Sequence, residues 1–104
     1  MLIYHQKFVK TTMKLMKLIV EEYKDVRNEE RFSYTLIDES EKVIEKETHL
    51  KGTKVCRSLC QLLKKFLNES DSPTVELSGY AGSSTYLSSL SSLVELYNAA
   101  VKRK

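Results

Sequence analysis

The chain has 104 residues, of which 41% are hydrophobic and 30% charged, and a formal net charge of +3. That is one domain's length, and this balance of apolar and charged residues excludes a wholly disordered chain. Three glycines and one proline exclude collagen-like, low-complexity and turn-rich all-β sequences, and no stretch approaches the ~18 apolar residues of a membrane span.

The small net charge conceals blocks of opposite sign. Residues 1–20 carry four lysines and no acid, residues 21–47 ten acids and five bases, and residues 48–68 five bases and no acid. Residues 69–101 then carry four acids and no base, and Lys102, Arg103 and Lys104 close the chain. Two acid-free basic segments and a basic tail say more about partners than their sum does. Lys7, Lys10, Lys14 and Lys17 interrupt any apolar run of a secretory signal, so a cytoplasmic protein is expected.

From His5 to Glu30 the apolar positions Phe8, Val9, Met13, Met16, Ile19, Val20, Tyr23 and Val26 recur at intervals of three and four. This spacing predicts one long amphipathic helix of roughly 40 Å. Its lysines crowd the N-terminal half and its acids the C-terminal half. The helix dipole prefers the reverse by ~0.3–1 kcal/mol per end charge. Such a helix needs packing from elsewhere, which predicts a protein partner or a homo-oligomer through it.

Arg31–Asp38, with Phe32, Tyr34 and Leu36 alternating, reads as a strand. Glu39–Lys42 supplies a turn, and Val43–Leu50 returns as a second strand whose Glu45, Lys46 and Glu47 suit a sheet edge. Gly52 breaks that strand, and Thr53 is the expected N-cap of a helix running to about Asn68. Val55, Leu59, Leu63 and Phe66 lie on its apolar face, with Lys54, Arg57, Lys64 and Lys65 opposite. Cys56 and Cys60, four apart, read as buried structural thiols of a reducing compartment, since a straight helix holds them at the limit of disulfide geometry.

Asp71-Ser72-Pro73 forms a turn, and Thr74–Ser78 a short strand. After Gly79-Tyr80-Ala81-Gly82, Ser83 or Ser84 caps a last helix to about Val101. Six of the ten residues 83–92 are serine, and such small side chains permit close approach of another helix. The predicted fold is a single α+β domain over residues 1–104, in the order α-β-β-α-β-α. It comprises a long helix over 1–30, a hairpin over 31–50 and a helix-strand-helix unit over 51–104. A three-stranded mixed sheet carries the helices, with a right-handed βαβ crossover from the second strand to the third.

The leading candidate site is basic. Lys51, Lys54, Arg57, Lys64 and Lys65, with Lys102, Arg103 and Lys104, suit a DNA or RNA phosphate backbone, where each neutralised phosphate releases counterions. The bland reading of the same residues is a solvated helix face. Gly79, Tyr80, Gly82 and Ser83 form a second candidate, an anion contact at a strand-to-helix turn. That turn lacks the lysine of a phosphate-binding loop.

Catalysis finds little support: no nucleophile elbow occurs, and His5 and His49 have no paired nucleophile. A hydrolase at residues 79–84 requires a base brought there by folding. Cys56, Cys60, His5 and His49 are not at zinc-ligand spacing, so no metal or cofactor is expected.

The run Leu50-Lys-Gly-Thr-Lys-Val-Cys-Arg57, the helix it opens, Thr74-Val-Glu-Leu-Ser-Gly79 and Ala81 together resemble the first half of Alba-type chromatin and RNA-binding proteins. The relatives of that group include small ribonuclease P subunits. The resemblance implies that Lys51 and Lys54 lie near a nucleic-acid-facing loop, with Tyr80 and Ala81 in a second one. Tyr80 stands where that family carries a basic residue, and the hairpin here precedes the βαβ unit rather than following the last helix. The layout also resembles the middle of a ribonuclease H-like fold, whose metals need strand and helix carboxylates. Gly79-Tyr80 and Val55–Leu59 supply none. The expected function is non-enzymatic nucleic-acid binding. The alternative is a protein-interaction module, an inhibitor or accessory subunit, acting through the N-terminal helix and the serine-rich last helix.

Overall fold

The computed structural model of the chain describes residues 15–82 and 84–104. Its elements are β1 (Leu15–Lys24), β2 (Glu30–Ile37), β3 (Val43–Leu50), α1 (Gly52–Leu67), β4 (Thr74–Ala81) and α2 (Ser84–Lys102). The four strands form one sheet in the order β3-β2-β1-β4. β1 is antiparallel to β2 and parallel to β4, and β2 is antiparallel to β3.

The fold is α+β, but two expectations are corrected. The sheet has four strands rather than three, and among the described residues no part of the long N-terminal helix is present: residues 15–24 are the inner strand β1. Residues 5–14 of the expected helix lie outside the described residues. The error has a physical source. Leu15 and Leu18 break the three-and-four spacing, and with them the segment alternates. Met16, Leu18 and Val20 are buried, whereas Leu15, Lys17 and Ile19 are half-buried. β-branched Ile19 and Val20 add strand preference. Val26, counted as the last apolar position of a helix, stands fully exposed in the turn after β1. A helix face for a protein partner or a second subunit is therefore not offered by residues 15–30.

Both hairpin turns are built alike. Asp25 Oδ1 accepts the N–H groups of Arg27 (2.9 Å) and Glu29 (3.0 Å). Asp38 Oδ1 likewise accepts those of Ser40 and Lys42, both at 2.9 Å. The fourth residue of each turn is left-handed, Asn28 at φ 65° and Glu41 at φ 66°. An aspartate that bonds its own backbone two residues on competes with helix continuation. This local chemistry ends β1 where helical spacing would have run on. The Glu29 N–H above all, opposed by burial and aided by the Arg27 N–H and the Arg31 guanidinium, holds the Asp25 carboxyl below the usual range.

The helices cover one face of the sheet. Met16, Leu18 and Val20 of β1, Phe32, Tyr34 and Leu36 of β2 and Val75 of β4 are buried with Val55, Leu59 and Leu63 of α1. Leu90, Val94 and Tyr97 of α2 complete this core. Each such side chain contributes ~1.5–3 kcal/mol on burial, before the entropy of ordering it. The crossover through α1 joins β3 to β4, which lie at opposite edges of the sheet. The second and third strands of the expected βαβ unit are thus not neighbours.

Two irregularities set the exits. Ser78 is an extra residue in β4, between the pairs Leu18↔Leu77 and Ile19↔Gly79. It lets Leu77 and Tyr80 both pack against the core. In β3, Thr48 and His49 together face one residue of β2, and His49 is left-handed at φ 64°. This bulge turns the chain into α1.

Helix α2 is tied to the strand beneath it. The Asn98 side chain accepts the Val75 N–H (2.9 Å) and donates to the Val75 carbonyl (2.8 Å), so one amide closes both backbone groups of an edge-strand residue. The buried Tyr97 hydroxyl donates to the Pro73 carbonyl at 2.6 Å. Gly52 makes room for the Tyr86 ring, since a Cβ there would meet its hydroxyl at 2.5 Å. That ring packs edge-on against Phe32, with centroids 5.2 Å apart.

Asn98→Leu leaves the Val75 N–H and carbonyl unpaired and should cost ~1–3 kcal/mol, read as a lower urea midpoint at unchanged slope. Burial, and then the Glu69 charge, push the Tyr97 hydroxyl up to about 12. A raised value means that the folded state keeps a proton the unfolded chain releases. Stability is therefore full below ~10 and falls as pH rises toward 12. Tyr97→Phe should flatten that alkaline loss in melts taken across the same range.

Candidate nucleic-acid interface

The N-cap of α1 lies two residues before the expected Thr53. Lys51 is the N-cap, in extended conformation at φ −76° and ψ 153°, and its carbonyl accepts the N–H groups of Lys54 and Val55. Its side chain makes no capping bond, and the first turn contains no acid. The positive end of the helix dipole lies beside Lys51 and Lys54, where it adds to their charge.

At 3.6 residues per turn, Lys54, Arg57, Ser58, Gln61, Lys64 and Lys65 fall on one arc, opposite Val55, Leu59 and Leu63. The three apolar residues are buried, and all of the arc except half-buried Ser58 is exposed. This crest runs about 16 Å from Lys54 to Lys65. Among the described residues no salt bridge engages these bases. The ion pairs instead gather around Arg31, whose Nε lies 3.5 Å from Asp25 and whose Nη2 lies 2.8 Å from Glu29.

The basic tail meets the far end of this crest. Lys104 Nζ donates to the Leu67 carbonyl (2.7 Å), to Ser72 Oγ (2.7 Å) and to the Glu69 carbonyl. It satisfies acceptors at the C-terminal end of α1, where the dipole favours a cation. Lys64 and Lys65 occupy the last turn of the same helix, and Lys102 and Arg103, which precede Lys104 in the chain, are exposed. The blocks 48–68 and 102–104 therefore join. The block 1–20 does not join them through its described part, because Lys17 sits on the sheet face away from the helices. Lys7, Lys10 and Lys14 lie outside the described residues.

Acids bound the crest on one side. Glu45 and Glu47 of β3 line a shallow hollow with Tyr34, Ser58, Gln61 and Lys65. On the other side runs a groove against α2, in which Cys56 and Cys60 are free and half-buried rather than fully enclosed.

The Gly79–Ser83 turn presents a different picture from the expected anion contact. Gly79 lies on β4, where a Cβ would make ordinary contact with Ile19 at 3.5 Å. Tyr80 packs toward the core, and burial raises its hydroxyl, with the Glu22 charge adding to the effect. At Gly82 a Cβ would lie 2.8 Å from Glu22 Oε1. The turn thus faces a carboxylate of the chain itself, which disfavours a second anion there. Ser83 lies outside the described residues. His49, the described histidine, donates its N–H to Tyr23 Oη at 2.9 Å and caps the bulge of β3. Among the described residues, no group of three or more His, Cys, Asp or Glu side chains is placed to hold a metal ion. No helix among them is long and apolar enough to cross a membrane.

Reading the sequence missed Gln61, whose place on the arc between Arg57 and Lys64 follows from helical spacing alone. It also missed the anchoring of Lys104, for which no local signal exists. Comparison of the chain with protein-family models, with curated proteins and with solved structures finds no match.

Lys104→Met should release the tail from α1. Faster amide exchange at Val101 and Arg103 and a loss of ~0.5–1.5 kcal/mol in urea unfolding are the expected readouts.

Proposed function

We propose that the chain is a non-enzymatic nucleic-acid-binding protein that grips phosphates with the crest of α1 and the tail docked at its end. One observation carries this reading: Lys54, Arg57, Lys64 and Lys65 stand exposed on one acid-free helix face, free of ion pairs among the described residues. Bases on a solvated face are usually interleaved with acids that neutralise them. Here the nearest acids, Glu45 and Glu47, lie on a different element.

Successive phosphates of one strand rise ~3.4 Å along the axis, so a 16 Å crest spans about five of them. Arg57 is suited to a bidentate grip on one phosphate, and the lysines act as mobile point charges. Gln61 offers the crest's neutral amide. The crest holds no aromatic side chain, so base stacking contributes nothing there and backbone contact dominates. Affinity with little sequence preference follows.

Anisotropy titrations of labelled duplex and single-stranded DNA and RNA, from roughly 50 to 200 mM salt, test the reading. With about five phosphates neutralised, log affinity against log salt should slope near −4.5 for duplex DNA and near −3.5 for single strands. Lys64→Glu together with Lys65→Glu should lower affinity at least ~tenfold and flatten the slope by about 2. Absent or salt-independent binding to all four ligands contradicts the proposal.

A further inference from the structure

The groove between α1 and α2 borders the crest and shares Arg57 and Lys64 with it, but its remaining lining is apolar or small and is not used in phosphate binding. Its larger hollow, about 530 Å³, is floored by Cys56, Cys60 and Leu93 and walled by Arg57 on one side and Ser88 and Ser92 on the other. Toward the C-terminal end it continues into a smaller apolar hollow of about 150 Å³, where Lys64 faces Ala100. Leu96 borders both hollows and is 69% exposed. Among the described residues the other large exposed apolar side chains, Val26, Val43 and Ile44, lie in a turn and on the edge strand β3. Burial raises the Cys56 thiol, with Cys60 adding to it.

We propose that this groove takes an acidic amphipathic helix of another protein. From Ser88 to Ala100 the groove measures about 18 Å, the length of a twelve-residue helix. Its charge is one-sided. Arg57 and Lys64 line the α1 wall, while serines and alanine line the α2 wall and let a helix backbone come close. Glu95, the acid of α2, is not among the lining residues. A complementary helix carries apolar side chains at i, i+3, i+4 and i+7 and acids along the flank over α1. The helices of a second copy do not meet that description. α1 is acid-free, and α2 carries a single acid.

The test uses three synthetic helices of about 14 residues with the same leucine stripe and flanks of Glu, Gln or Lys, titrated by anisotropy. The acidic peptide should bind at least ~tenfold tighter than the neutral one, and the gap should shrink with salt. Leu96→Asn should weaken acidic-peptide binding at least ~tenfold while leaving nucleic-acid affinity unchanged, because Leu96 is not on the α1 crest and the change places no charge beside Arg57 and Lys64. Ser92→Glu should weaken the acidic peptide more than the similarly sized Ser92→Gln does, whereas the two should affect the neutral peptide alike. No binding of the acidic peptide up to about 1 mM, or equal binding of all three, overturns the proposal. So does a concentration-dependent dimer in sedimentation that Leu96→Asn abolishes, because the groove then belongs to a second copy.

Discussion

The structure depends on the placement of β1 between an antiparallel and a parallel neighbour. Met16, Leu18 and Val20 point from it into the single core, and both helices pack on the face they create. A one-residue slip of β1 would turn Leu15, Lys17, Ile19 and Glu21 inward and bury charge under α1 and α2. The register with β2 is secured by the Asp25 turn, and the register with β4 is adjusted by the Ser78 bulge. With β1 in place, β3 and β4 become the two edges, and α1 must cross the sheet to join them. That crossing turns the apolar side of α1 inward and leaves its basic side as an uncovered crest.

How much of this was legible in the sequence differs by element. The alternation of Phe32, Tyr34 and Leu36, and the acids of residues 45–47, show on inspection, because a strand's burial period of two is local. Helices α1 and α2 are legible for the same reason, from apolar residues three and four apart. β1 was not, because Met16, Ile19, Val20 and Tyr23 fit a helical period as well as a strand when Leu15 and Leu18 are passed over. What decides between them is Asp25, whose carboxylate closes a turn, together with two neighbouring strands distant in sequence. The pairing of β1 with β4 is non-local and carries no sequence mark. For the site, the α1 crest follows from composition and spacing, whereas the meeting of the tail with α1 rests on Lys104 reaching carbonyls at Leu67 and Glu69.

The charge blocks acquire a spatial meaning in the folded chain. The acid-rich segment from 21 to 47 forms most of two hairpin strands and their turns, with Asp25 and Asp38 used by their own backbones. Glu22 lies against Gly82 at the strand-to-helix turn, so the expected anion position there is met from within. The segment from 48 to 68 becomes the crest, extended by the tail. The net charge of +3 is thus a cancellation between an acidic sheet edge and a basic helical ridge. Opposite charges kept on separate elements produce a steering field that an interspersed surface of equal net charge lacks.

The ridge is the surface proposed to meet nucleic acid. Amide chemical-shift mapping during titration with duplex and single-stranded oligonucleotides tests it most directly. The account predicts shifts concentrated at Lys54, Arg57, Gln61, Lys64 and Lys65 and at residues 102–104, fading as salt is raised. Shifts centred instead on the opposite face of the sheet, around Lys17, Ser33 and Thr35, or no shifts with either ligand, would contradict it.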